Sequence, residues 1–137
     1  MGRISYEVDG RLCKAIRMII SEAGLSHIDP DRIYCIRSRG SRSRAIARIY
    51  GLPKPWIIAL GANPGYVIEV ISERFDRLSG IDKVKVLIHE LLHIPKTFSG
   101  GLRPHGRHVN EREVSRILRA LSDRGIVKSI IGVVGDG

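Results

Sequence analysis

Two histidines four residues apart, with a glutamate directly after the first, form the string His89-Glu90-Leu91-Leu92-His93. On a helix that spacing places both imidazoles on one face, one turn apart, where they can ligate the same metal ion. Glu90 is then turned sideways from the two rings, a position that suits a general base acting on a metal-polarised water better than a third ligand. Val84, Leu87, Ile88 and Leu91 recur along the other side of the helix, so His89 and His93 are not core histidines. Val86 and Ile94 make the histidine side partly apolar too. A helix covered on both sides carries polar histidines in a cleft.

A catalytic zinc takes three protein ligands and keeps a position for water. The long metzincin spacing would require glycine and histidine where the chain has Lys96 and Ser99, and is excluded. Four downstream candidates remain: His105, His108, Glu111 and Glu113. His105 lies in Gly-Gly-Leu-Arg-Pro-His-Gly, where paired glycines let the chain double back over the helix and Pro104 narrows its conformations. Glu111 would complete the site only if a later helix crosses it, as in the gluzincin arrangement.

The elements that must position these residues follow from periodicity. Val8, Leu12, Ala15, Ile16, Ile19 and Ala23 recur at helical spacing, with Gly24 placed to end the helix. Residues 32–38 and 44–50 alternate as strands, and 56–60 and 66–71 are short β-rich runs bounded by Pro and Gly. Helical spacing returns over 79–94, with Ser79 as N-cap and Pro95 beyond its end. A glycine-containing loop, 97–106, leads to an amphipathic helix over 110–124 carrying Val114, Ile117, Leu118 and Leu121. The apolar tail 126–134 reads as a late strand or a packed end. An N-terminal helix, a three-to-four-stranded sheet, the histidine helix and a C-terminal helix make an α+β fold.

The chain's 137 residues, 43% hydrophobic and 27% charged, fit one domain spanning 1–137. No uncharged apolar run reaches the ~18 residues a membrane span needs, so the expected setting is cytoplasmic, with no membrane partner. Cys13 and Cys35 belong to no CxxC pair, which argues against a disulfide scaffold or a cysteine zinc knuckle. The net charge is +9, and between Arg32 and Ile68 there are seven basic residues and no acid. Arg37, Arg39, Arg42, Arg44 and Arg48 could contact phosphates, with strand alternation placing Arg42, Arg44 and Arg48 on one side of the sheet. No stacking aromatic is interleaved with them, which argues against single-strand recognition.

The segment HELLHIPKTFSGGLRPHG, preceded by LSGIDKVKVLI and by ARIYGLP, resembles the small metallopeptidases of archaea and phages, a zincin-like family, over about 37–107. The resemblance implies a minimal zincin-like fold, a small sheet packed on the HExxH helix, and one zinc per chain held by His89, His93 and His105. A more distant likeness to SprT-like proteases rests on architecture and the shared helix, without their zinc ribbon. The expected function is zinc-dependent peptide hydrolysis with Glu90 as general base and a peptide or protein substrate. Arg103, Arg107, His108 or Tyr66 would be the oxyanion donor, and 66–71 the edge strand along which substrate lies. The alternative is a basic nucleic-acid-binding module using Arg39, Arg42, Arg44 and Arg48, with a structural or vestigial metal site.

Overall fold

A computed structural model describes residues 3–135 of the chain. Strand β1 (Ser5–Val8) leads directly into helix α1 (Gly10–Glu22). Asp9 separates them as the N-cap, its Oδ1 accepting from the Leu12 N–H at 3.0 Å. Val8, which fits the helical stripe by spacing, is therefore an exposed strand residue. The buried side of α1 consists of Leu12, Ala15, Ile16, Ile19 and Ile20. A 3-10 turn at Pro30–Arg32 delivers β2 (Ile33–Arg39), followed by β3 (Ala47–Gly51). Strand β3 starts later than the alternation suggests, so Arg42 and Arg44 lie in the preceding connection and not beside Arg48 in the sheet.

Helix α2 (Lys54–Leu60) stands where β-rich composition predicts a strand. Pro53 is the extended N-cap, Pro55 fixes φ in the first helical turn, and Gly61 ends the helix at φ 60. Local backbone chemistry outweighs β propensity here, and Trp56, Ile58 and Leu60 stay exposed. Then come β4 (Tyr66–Ile71), the short α3 (Ser72–Phe75), α4 (Gly80–Leu92), α5 (Glu111–Asp123) and α6 (Val127–Val134). The apolar tail is thus a helix, α6, which buries Val127 and Ile130 and packs against α1 and α4. Its far end is tied by buried Lys83, whose Nζ donates to the Gly135 carbonyl at 3.0 Å. No helix among the described residues is long and apolar enough to cross a membrane.

The four-stranded sheet has the order β1-β2-β4-β3, with β2 and β4 parallel and the outer pairs antiparallel. Strand β4 is therefore central, and the free edge beside α4 is β3. This corrects the assignment of 66–71 as the edge. The near-continuous apolar run of β4 is that of an interior strand, and its sequence position said nothing of its neighbours. One face of the sheet carries Ile33, Cys35, Tyr66, Ile68 and Val70 into the core against α1 and α4.

Arg37 joins the sheet to both flanking helical segments. It pairs with Asp9 at 2.9 Å and with Asp76 at 2.7 Å, and its guanidinium also donates to the Ser72 hydroxyl. Burial alone would raise the Asp9 carboxyl, but the Leu12 N–H and Arg37 hold it below the usual value. Asp9→Asn keeps the cap and removes the ion pair, at an expected cost of about 1 kcal/mol at pH 7. Because the folded pKa is depressed, the wild-type advantage is present above about pH 4 and disappears as pH falls through the folded value. Urea denaturation across pH 7 to 2 tests this, and a gap that persists at the acid end would assign the effect elsewhere.

Candidate metal centre

The histidine helix buries Val84, Leu87, Ile88 and Leu91 and leaves His89 and His93 half-buried on its other side. Ser79 caps its start by accepting from the Asp82 N–H, and His93 is its C-cap residue. The segment beyond His93 decides the site. Ile94 is fully buried, and the half-buried His27 donates from Nε2 to the Ile94 carbonyl at 3.2 Å, since a carbonyl can only accept. The chain then turns under β4. Tyr66 Oη accepts from the Gly100 N–H at 2.9 Å and donates to the Gly101 carbonyl at 2.8 Å. Phe98 packs edge-on against the Tyr66 ring.

Two glycines permit the approach. A Cβ on Gly51 would overlap the Gly100 carbonyl, and a Cβ on Gly100, which has φ 99, would overlap the Leu52 carbonyl. Only hydrogen at both positions lets the loop lie against the end of β3.

From there the chain returns to α4. The Arg103 N–H donates to the His93 carbonyl at 2.7 Å, and His93 Nδ1 donates to the Arg103 carbonyl at 2.6 Å. That second bond fixes the tautomer, leaving Nε2 of His93 with its lone pair free. Two residues on, His105 comes to His89 with Nε2 to Nε2 at 3.0 Å. Ring centroids among the three histidines lie 4.8 to 5.1 Å apart, and one ligand atom from each lies within 4.8 Å of the others. Burial first, then the neighbouring His93 and His105, hold the His89 pKa below the ordinary histidine value, favouring the neutral form that binds metal. Three convergent imidazoles without a carboxylate among them suit a borderline-soft divalent ion such as zinc.

Glu90 is only 8% exposed, and burial pushes its carboxyl up to about 7. No side-chain hydrogen bond or ion pair among the described residues engages it, and with His89 it lines a cavity of about 510 Å³ between β3, α4 and α5. Ala47 forms the strand side of that cavity, Val86 the α4 side and Val114 the α5 side. Glu111 also lines it, but neither it nor His108 or Glu113 joins the three-imidazole group. Glu113 instead pairs with Arg116 at 3.0 Å.

The remaining sequence candidates scatter. Arg39 ends β2 and pairs with Glu7, Arg42 is exposed in the connection before β3, Arg44 lines the Glu90 cavity, and Arg48 sits on β3 opposite Glu69. Tyr66 is 1% exposed with its hydroxyl engaged by the loop, so it is a loop anchor and has no free donor for an oxyanion. Sequence reasoning did not find Gly51, the His27 contact or the Arg103 carbonyl, because each acts through backbone groups distant in sequence.

A family model described as "Putative phage metallopeptidase" matches residues 4–127. No curated protein and no solved structure matches the chain.

Tyr66→Phe retains the ring contact but leaves the Gly100 N–H and the Gly101 carbonyl without this partner. The expected loss is about 1–2 kcal/mol in urea denaturation, with faster hydrogen exchange at the Gly100 amide. Unchanged exchange there would show that the hydroxyl does not hold the loop.

Proposed function

The chain belongs to the phage metallopeptidase family, and we propose that it is a zinc-dependent peptidase in which His89, His93 and His105 hold one metal ion and Glu90 is the general base. The observation that carries this reading is the convergence of three imidazoles beside a buried, unpaired carboxyl in an open cavity. Bound by these residues, zinc supplies Lewis-acid polarisation of a water and of the scissile carbonyl. Three protein ligands match the count of catalytic zinc, whereas structural zinc takes four.

The chain's own residues account for proton movement. Glu90, its proton affinity raised by burial, takes a proton as the water adds to the carbonyl and returns it to the departing amine. The Arg103 carbonyl keeps the His93 ring in the tautomer and orientation that ligation requires. Strand β3 has an unpaired edge, and its first residue, Ala47, already lines the cavity. An extended peptide added to that edge would pass beside Glu90, with backbone hydrogen bonds setting its direction. Arg103, Arg107 and His108 remain as donors toward the developing oxyanion, all of them in or just beyond the loop that carries His105.

Purified protein loaded with zinc is expected to hold one ion per chain, and His93→Ala and His105→Ala to lose most of it, while Glu111→Ala keeps it. Zinc analysis after dialysis measures this. Retention in His105→Ala with loss in Glu111→Ala would move the third ligand to α5. Glu90→Gln is expected to keep the metal and to lower kcat on a fluorogenic peptide library by about 10²–10⁴-fold. Wild-type turnover in that variant would remove the general-base role.

A further inference from the structure

On the sheet face turned away from α1 and α4, Ser38, Glu69 and Ile71 are buried, but the end that carries Tyr34 and Tyr50 is exposed and borders a second cavity. Tyr34 of β2 and Tyr50 of β3 both stand in register with Val67 of the central strand. At about 4.8 Å per strand spacing, their backbones are about 9.6 Å apart across the sheet. Both tyrosines line a cavity of about 290 Å³, together with Val67, Gly51 and the Arg32 guanidinium, which lies against Gly65.

Both tyrosines are held in place although each remains more than 40% exposed, at 45% for Tyr34 and 43% for Tyr50. Tyr34 Oη accepts from Arg32 at 2.6 Å, and the guanidinium lies 5.4 Å from the ring centroid. Arg32 is itself fixed on the carbonyls of Asn63 and Pro64. Tyr50 Oη donates to Glu69 Oε1 at 2.6 Å. Each ring is thus tied at its hydroxyl, which lowers the entropy that ligand stacking would cost.

The charge around this cleft selects the ligand. Arg48 flanks Tyr50 on β3, Arg32 underlies Tyr34, and Lys54 begins the helix that comes directly after the cleft wall at Pro53. Glu69, the acid that the strands place on this face, is 4% exposed and engaged by Tyr50. A second copy of the chain would bring a like net charge of +9 to the face. A polyanion with flat rings fits both the aromatic walls and the cations.

We propose that Tyr50 and the Arg32 guanidinium backed by Tyr34 form a stacking clamp for a base of single-stranded nucleic acid, with Arg48 and Lys54 facing its phosphates. The aromatics that are absent from the arginine-rich segment in sequence are supplied across the sheet by strand pairing. Tyr34, Tyr50, Arg48 and Lys54 lie outside the three-histidine cluster, although the cavity shares Gly51 and Tyr66 with the anchors of the His105 loop.

Fluorescence anisotropy with a labelled oligo(dT) and a duplex of equal length, at low salt, tests the clamp on the full chain. Wild type is expected to prefer the single strand, and Tyr34→Leu with Tyr50→Leu to weaken that binding roughly 5- to 100-fold. Thermal denaturation identifies loss of fold, and Tyr34→Phe, which keeps the ring, is expected to bind within a few-fold of wild type. Arg48→Gln should reduce the salt dependence of binding. Equal affinity for duplex, unchanged affinity in the double leucine variant, or no oligonucleotide binding alongside saturable binding of a tryptophan-containing peptide would each overturn the proposal.

Discussion

A reversal of the chain after α4 is held by two hydrogen bonds that His93 and Arg103 exchange, one through the histidine's backbone carbonyl and one through its ring. His105 sits on an exposed stretch, and its contacts are the rings of His89 and His93. Freezing such a segment costs roughly 1–2 kcal/mol per residue in backbone entropy, so anchors must come from elsewhere. They come from three directions: the ring of the residue that the loop has just left, the hydroxyl of Tyr66 in the central strand, and the close approach at Gly51. The same Arg103 carbonyl that completes the reversal also sets the tautomer of His93, so loop closure and ring chemistry are a single condition.

The sheet serves this arrangement from both sides of β4. Its core face delivers Tyr66 beneath the loop, and its antiparallel neighbour β3 leaves an edge beside the cavity that Glu90 lines. Helix α5 closes the remaining wall, with Asn110 capping it by accepting from the Glu113 N–H. Burial of Glu90 follows from this enclosure, and its raised proton affinity follows from that burial. On the opposite sheet face Tyr34 and Tyr50 remain exposed.

Strong periodicity makes α4 and α5 legible, and the glycine-proline context of His105 marks the loop that brings it to His89, because both signals are local. On α4 the HExxH spacing leaves Glu90 outside the three-imidazole group. Strand order is not legible: 66–71 looks like an edge only if chain order is taken for spatial order. The 56–60 run carries β-type side chains in a backbone that two prolines and a glycine bend into a helix. Tyr66 escapes a sequence reading for a different reason. Its partners lie 34 and 35 residues downstream, and nothing near it in sequence signals that its hydroxyl is already engaged.

Gly51 and Gly100 bear on how such a chain can change over generations. The obstacle to a side chain at either position is a backbone carbonyl, so no replacement of a neighbouring side chain can make room for it. Nor can one of the pair compensate for the other, since both already carry the smallest substituent available. Mutational routes through these positions are closed one step at a time and two steps at a time alike. Only a shift of the whole loop relative to β3 would reopen them, and the same shift would carry His105 away from His89. Diversification of the surrounding surface therefore proceeds around a fixed point that lies in neither the histidine string nor the arginine-rich segment.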